Sequence, residues 1–189
     1  MINLLHKVKK IAKHNIVIFS ETINETLEKA CENLGAVLYD NLFDEFGNNR
    51  IEQLMTFQKE QRKKKIKLRP VYIILDDFID NQVFNSRRSC VASLFKRGRH
   101  CNISVILTSQ YFKDIPRNIR QLAHYRFIFN PYDDDALNDI AEENRLSLSK
   151  NQFIELFKKY MTERHTFILI DKKKGRILKN FTDVIFKDR

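Results

Sequence analysis

A short run of apolar residues that favour strands, Val71 to Leu75, leads directly into the adjacent carboxylates Asp76 and Asp77. A continuous apolar run of this length is typical of a strand that is buried on both faces, as strands of parallel sheets are. Open parallel sheets bind their ligands beyond the carboxyl ends of their strands. The run therefore predicts an α/β fold with a candidate site at the two carboxylates.

This strand with its paired carboxylates has the form of a Walker B motif. In a nucleoside triphosphatase the first carboxylate, here Asp76, holds Mg²⁺, and the second, Asp77, orients or deprotonates the attacking water. A buried strand followed by an Asp-containing turn is the alternative interpretation, because the motif is short and degenerate. A metal-dependent nuclease built on Asp76, Asp77 and Asp80 is a weaker alternative, since the spacing places no further metal ligand or catalytic Lys.

The next part of the chain repeats this pattern of a strand with a polar end. A helical stretch, Ser86 to Arg99, is followed by a second apolar strand, Ile103 to Leu107, and then by Gln110. Many P-loop motors place a polar residue after this strand, where it senses the γ-phosphate or the attacking water. An amide suits this role because it offers a donor and an acceptor without adding charge. Gln110 is therefore the candidate sensor.

The block from Leu94 to Gln110 resembles the corresponding block of the FtsK/HerA superfamily of DNA-translocating ATPases. Within that superfamily the chain is most similar to the genome-packaging ATPases of large double-stranded DNA viruses, the poxvirus-type branch. The resemblance covers roughly residues 15 to 130 and depends on the order and spacing of several short motifs. These motifs are Asp76-Asp77, Arg99-His100, Ser109-Gln110-Tyr111, Ile115-Pro116 and Ile119-Arg120.

The resemblance implies a RecA-like P-loop ATPase core, an α/β fold with a mostly parallel sheet flanked by helices. It also implies ATP and Mg²⁺ as cofactors, with Asp76 on the metal, Asp77 activating water and Gln110 beside the γ-phosphate. The complete machine would be a homo-oligomeric ring that translocates double-stranded DNA into a capsid. Capsid or portal-vertex proteins would be its partners, and the host cytoplasm (the virus factory) and the virion its locations.

Ring-shaped motors complete each ATP site with an arginine from the next subunit, which stabilises charge in the transition state. By position in the resembling block, Arg99 is the first candidate for this role, Arg120 the second and Arg97 the third. Surface or DNA-contact duty is an equally good interpretation for each of them.

The Walker A loop of this family is missing from the sequence, so whether the chain is an enzyme stays open. None of its four glycines belongs to a Gly-Lys-Ser/Thr triplet. The sequence therefore has no Gly-rich loop to cradle the phosphates and no loop Lys to bridge them. Either Asn15 to Phe19 is the first strand and Ser20 to Leu27 a degenerate loop, or the first strand lies upstream of Met1. The second alternative is preferred, because Ser20-Glu21-Thr22 resembles the end of the family's second strand and Ile2 to Ile11 is patterned like a helix.

The charge balance points to a polyanionic partner. Lys and Arg number 34 against 24 acidic residues, which gives a net charge of +10. Clustered cations attract phosphate backbones independently of base sequence, as a packaging motor requires. Solvated surface is the alternative. The candidate DNA contacts are Arg87, Arg88, Lys96 and Arg97.

Helices and strands alternate along the chain, which favours one α/β domain over residues 1–189, either degenerate or truncated at its N-terminus. A terminal β-hairpin is predicted from Thr166 to Ile170 and Arg176 to Asn180. The longest apolar runs are far shorter than the ~20 residues that span a bilayer, so a soluble, intracellular protein without a membrane partner is expected. The predicted function is a viral DNA-packaging ATPase without its Walker A loop. A non-catalytic DNA-binding or assembly module derived from such an ATPase is the alternative.

Overall fold

The computed structural model describes residues 15–77, 89–131 and 133–188. They form two compact units that divide between Leu122 and Ala123. The single domain predicted for residues 1–189 therefore stays a prediction. Several of the residues named above lie outside the described residues: the stretch Ile2 to Ile11, Asp80, Ser86, Arg87 and Arg88.

The first unit contains a four-stranded parallel sheet with the strand order β2-β1-β3-β4. The aliphatic residues Ile73 to Leu75 of β3 are fully buried, as the apolar run predicts. The strand registers align Ser20, Asp76 and Thr108 across three neighbouring strands. The predicted parallel sheet is thus confirmed, and its carboxyl edge collects polar strand ends. The strands are β1 (Ile16–Ser20), β2 (Val37–Tyr39), β3 (Val71–Asp76) and β4 (Ile103–Thr108).

Helices cover both faces of this sheet. One core cluster joins the apolar side chains of α1 to Ile16, Ile18 and Ile74, and a second cluster joins those of α2, α3 and α4 to the opposite face. The helix predicted from Ser86 to Arg99 ends two residues earlier, at Arg97, because the chain tightens into a 3-10 turn that begins at Gly98. The helices are α1 (Glu25–Leu34), α2 (Arg50–Lys63), α3 (Cys90–Arg97) and α4 (Arg117–Leu122).

β4 is an edge strand of this sheet, since among the described residues only β3 pairs with it. Its apolar residues Val105, Ile106 and Leu107 are half-buried, whereas the equivalent residues of β3 are fully buried. Strands of parallel sheets are ordinarily covered, and an apolar edge with unpaired backbone groups is a template for another strand. The outer edge of β4 is therefore a place where a further strand can add.

The open edge that β4 presents among the described residues predicts a marginally stable chain. A parallel strand supplied in cis or in trans would cover β4, and covering three half-buried aliphatic side chains stabilises by about 3 kcal/mol. We therefore expect the melting temperature to rise by about 10 °C when such a strand is added. Differential scanning calorimetry with and without the strand measures the rise. A cooperative melt of the chain alone as a soluble monomer at ordinary mesophilic temperature, unchanged by the strand, would contradict the prediction.

The second unit is built on an antiparallel sheet with the order β5-β6-β7-β8. The predicted terminal hairpin is confirmed as β6 and β7, which turn through Gly175 at a φ of 57°. The sequence pattern did not predict β8, and β5 belongs to this antiparallel sheet rather than to the parallel one. The elements are β5 (Tyr125–Ile128), α5 (Asp134–Asn144), α6 (Lys150–Tyr160), β6 (Ile168–Asp171), β7 (Arg176–Lys179) and β8 (Asp183–Lys187).

A buried arginine ties β5 to the end of α5. Nη1 of Arg126 donates to Oδ1 of Asn144 and, at 3.2 Å, to the main-chain oxygen of Glu143. Asn144 is itself buried, and its Nδ2 donates to the main-chain oxygen of Ile140 at 2.7 Å. A cation at the carboxyl end of a helix is favourable because the helix dipole is negative there.

None of the described helices has the length and apolar character that crossing a membrane requires.

Candidate functional site

The carboxyl edge of the parallel sheet carries the candidate metal-binding and catalytic residues predicted from the sequence. Asp76 ends β3 and pairs in register with Thr108, which ends β4. Oγ1 of Thr108 donates to Oδ1 of Asp76 at 2.6 Å and accepts the main-chain N–H of Asp77 at 3.0 Å. One hydroxyl therefore fixes both the first carboxylate and the backbone that carries the second.

Thr108 received no role from the sequence. The signal that could have found it is its place directly opposite Asp76 on the neighbouring parallel strand. Such a position becomes visible only when the register of the two strands is known, because a shift of one residue turns the side chain to the other face.

Asp77 leaves the strand in an uncommon backbone conformation. Its φ of 51° lies in the left-handed region, which is costly for residues with a Cβ and least so for Asp and Asn. Such conformations persist where the surroundings hold them, and they concentrate at functional sites. Here the Thr108 hydroxyl holds the Asp77 amide, and Nε2 of Gln110 donates to Oδ2 of Asp77. The structure thus brings Asp76, Asp77 and Gln110 together, while their catalytic roles stay predictions.

The donor set of this edge fits a magnesium ion. Two carboxylates beside a hydroxyl offer only oxygen atoms, which are the ligands that Mg²⁺ prefers. Asp76 is the residue that would hold the ion. Across residues 15–77, 89–131 and 133–188, no three His, Cys, Asp or Glu side chains are grouped as a metal site. The nuclease alternative would need Asp80, which lies outside the described residues.

The turn from β1 into α1 is poorly suited to bind phosphate. It contains no glycine, and Oδ1 of Asn24 already accepts the main-chain N–H of Leu27 at 2.9 Å. A phosphate loop needs several free amides that point at one anion. The geometry of this turn therefore disfavours a degenerate phosphate loop over Ser20 to Leu27.

A family model described as Poxvirus A32 protein matches residues 41–176, most of the chain. The chain belongs to this family. Protein 075L of Invertebrate iridescent virus 6, described as uncharacterized, is 28% identical over 158 residues, which are 80% of this chain and 57% of that protein. Protein 015R of Frog virus 3 (isolate Goorha), also described as uncharacterized, is 36% identical over 58 residues, 30% of this chain and 17% of that protein. The chain therefore spans less than two thirds of the length of these relatives.

Solved structures of B204, the genome-packaging NTPase of Sulfolobus turreted icosahedral virus 2, share the fold. The sulfate complex has a TM-score of 0.62 at 18% identity over 96% of this chain and 87% of B204. The AMPPCP complex has a TM-score of 0.59 at 18% identity over 94% of this chain and 85% of B204. The predicted resemblance to viral packaging ATPases and the predicted fold class are confirmed.

In this A32-family chain, the first candidate arginine finger lies far from the carboxylates of its own subunit. Arg99 is exposed in the 3-10 turn before β4, at the amino edge of the sheet. Since β4 has six residues at about 3.3 Å each, roughly 20 Å separates this turn from the carboxyl edge. Arg99 is therefore too far from Asp76 of its own chain to contact it, and its role as an arginine finger stays a prediction.

The second candidate, Arg120, is engaged within its own chain. Its Nη1 donates to the main-chain oxygen of Phe112 at 3.2 Å and to that of Ile115. The guanidinium also lies 4.4 Å from the centre of the Phe112 ring, a cation–π contact. Arg120 thus holds the loop that follows Gln110, and serving as a finger would require it to leave these contacts.

Proposed function

We propose that this A32-family chain carries the water-activating and DNA-contacting part of a viral DNA-packaging ATPase. The observation that supports it most strongly is the hydrogen-bonded group of Asp76, Thr108, Asp77 and Gln110 at the carboxyl edge of a packaging-NTPase fold. B204 is described in complex with AMP, AMPPCP and ATP-gammaS, so this fold accommodates adenine nucleotides. Phosphate release by a completed chain tests the proposal directly.

Each residue of the group has a distinct task in this proposal. Asp76 holds the magnesium ion, which when bound neutralises charge on the phosphates. Asp77 accepts the proton of the water that attacks the γ-phosphorus, while the bond to the β-phosphate oxygen breaks and ADP leaves. Gln110 aims the Asp77 carboxylate through its amide N–H. Thr108 keeps Asp76 and the Asp77 backbone in register.

The phosphate-binding half of the site must come from outside this group. A strand added in parallel to the edge of β4 that no described strand covers would end beside Thr108, and a glycine-rich loop after that strand would face Asp76 and Asp77. The complete site would then lie between subunits of a homo-oligomeric ring, with Arg99 of one subunit directed at the nucleotide of the next. Capsid or portal-vertex proteins would be the further partners of that ring.

Non-specific binding to duplex DNA is the expected property of the basic surface. Lys96 and Arg97 are exposed side by side at the end of α3. Each neutralised phosphate contributes about −0.9 to the slope of log affinity against log salt, so Lys96→Glu/Arg97→Glu should reduce the slope by about 2. Fluorescence anisotropy on duplexes of unrelated sequence at several salt concentrations measures this slope.

The matched control reverses the charge of another exposed pair, Lys158→Glu/Lys159→Glu on α6. This variant should lower the salt slope of DNA binding by less than Lys96→Glu/Arg97→Glu does. A flat salt response of the unmodified chain, or no binding at low salt, would mean that the positive clusters are only solvated surface.

A non-catalytic DNA-binding or assembly module is the second candidate function. The specific observation in its favour is the absence of a Gly-Lys-Ser/Thr triplet from the 189 residues. In that case the hydrogen bonds around Asp76 would only close the end of the sheet, and the chain would bind DNA without responding to nucleotide.

A further inference from the structure

A hollow with an acidic rim lies on the first unit, apart from the candidate ATP site. It is formed by the loop before α2 and by the exposed side of α2, and its volume is about 620 Å³. Phe43 and Phe57 line it and remain 44% and 55% exposed, and Glu52 and Glu60 lie on its rim. Phe46 of the same loop is 81% exposed. We call this surface the acidic hollow.

The loop that forms the acidic hollow is held in place by one carboxylate. Asp44 accepts the main-chain N–H groups of Asn48 at 2.8 Å and Phe46 at 3.0 Å, and Nε2 of Gln53 on α2 at 2.9 Å. The hydrogen bond from the Asn48 backbone is the main reason why the pKa of Asp44 lies below its ordinary value. Gly47 makes the turn at a φ of 77°. The hollow is therefore built before any partner arrives.

The chemistry of the acidic hollow stands out against the rest of the chain. The protein has a net charge of +10, yet no Lys or Arg is among the residues that line the hollow. Exposed aromatic side chains rimmed by polar groups mark interaction sites, and complementary charge selects the partner. A fitting partner presents an apolar side chain between cations.

Such a surface exists at the far end of α2. The segment Lys63 to Lys67, which we call the basic tip, has four exposed lysines around Ile66, whose side chain is 51% exposed. The chain turns sharply there, with Lys65 at a φ of 58°. Two hydrogen bonds flank the tip: Arg62 Nη1 donates to the main-chain oxygen of His100 at 3.0 Å, and Gln58 Nε2 to that of Arg69 at 3.0 Å.

The basic tip cannot reach the Phe43 end of the acidic hollow in its own chain. The hollow extends along a rigid helix of 14 residues, about 20 Å long, from Phe43 beside the N-cap Asn49 to Glu60 on the last turn. Ile66 follows the last residue of this helix, so the helix holds it away from Phe43. A contact between two different surfaces of identical chains is heterologous, and it produces a ring if the rotation closes. The occupant that fits is therefore a second copy of this chain.

We propose that the acidic hollow of one copy binds the basic tip of a second copy, so that the chains associate head to tail. This inference deepens the proposed ring, on which it rests for its biological role, by naming the two surfaces that meet. Ile66 would pack against Phe43 and Phe57, and the flanking lysines would face Glu52 and Glu60. Neither nucleotide nor DNA takes part in the contact.

A charge swap tests the proposal by sedimentation velocity of the full chain without nucleotide or DNA. The unmodified chain should associate in a concentration-dependent manner, and more weakly at high salt. Glu52→Lys/Glu60→Lys, and separately Lys64→Glu/Lys67→Glu, should each raise the dissociation constant at least about tenfold, because like charges then meet. Mixing the two variants should restore association, since each supplies the charge that the other lacks.

Control variants separate this contact from other kinds of association. Glu28→Lys/Glu32→Lys on α1 makes the same charge change on an exposed helix and should associate like the unmodified chain. Aggregation through the edge of β4 would not respond to the Glu52 and Glu60 changes. A chain that stays monomeric at all concentrations, or variants that fail to recover on mixing, would overturn the proposal. Loss of DNA binding or of hydrolysis alone would count against the proposed function and leave this contact standing.

Discussion

Mg·ATP is expected to bind the 189-residue chain with a dissociation constant above about 1 mM, equivalent to less than about 4 kcal/mol of binding free energy. Asp76 can hold the metal, but most of the affinity for a nucleotide comes from backbone amides and a Lys around its phosphates. The sequence has no loop of that kind, and Asn24 occupies the amide of Leu27 at the start of α1.

Adding a phosphate-binding strand and loop should lower the dissociation constant for Mg·ATP by orders of magnitude. A strand followed by a Gly-x-x-x-x-Gly-Lys-Ser/Thr loop, fused ahead of residue 1, should bring the dissociation constant into the micromolar range, about 8 kcal/mol. Isothermal titration calorimetry compares the two proteins, and a fusion whose loop Lys is replaced by Ala is the matched control. Micromolar affinity of the unmodified chain would contradict the prediction and would indicate a different phosphate-binding loop.

The parts of the fold that were predictable from the sequence are those with strong local signals. The apolar run Val71 to Leu75 identified β3, because five consecutive apolar residues before two carboxylates are typical of a buried strand in a parallel sheet. The carboxyl end of α1 carries a local signal of the same kind, since Gly35 follows the helix and adopts the left-handed conformation there. At these positions, local chemistry and the overall fold agree.

The parts that were not predictable depend on which segments meet in space. The role of Thr108 follows from the register between β3 and β4, and that of Arg126 from the packing of β5 near the end of α5. The strand β8 carries Val184, Ile185 and Phe186 at an edge, where a half-exposed apolar segment gives only a weak strand signal. The acidic hollow was missed because its members come from a loop and a helix whose exposed faces the sequence does not distinguish.

Hydrolysis by the loop-completed protein depends, in the proposed function, on the carboxylate of Asp77. Asn at this position keeps the size and tolerates the left-handed backbone, so Asp77→Asn should fold and bind nucleotide as before while losing the base. The rate of phosphate release should fall by about 10² to 10⁴, the contribution of general acid–base catalysis. An exposed carboxylate on β8, changed as Asp183→Asn, is the matched control and should leave the rate unchanged.

The measurement that tests the proposed active site most directly is therefore the steady-state rate of phosphate release by the loop-completed chain and by its Asp77→Asn variant, with nucleotide affinity measured in parallel. We predict ATP hydrolysis by the first protein and a loss of at least about 10²-fold in the second, with nucleotide affinity preserved. Equal rates in the two proteins would show that the carboxyl edge of β3 and β4 is not where water is activated.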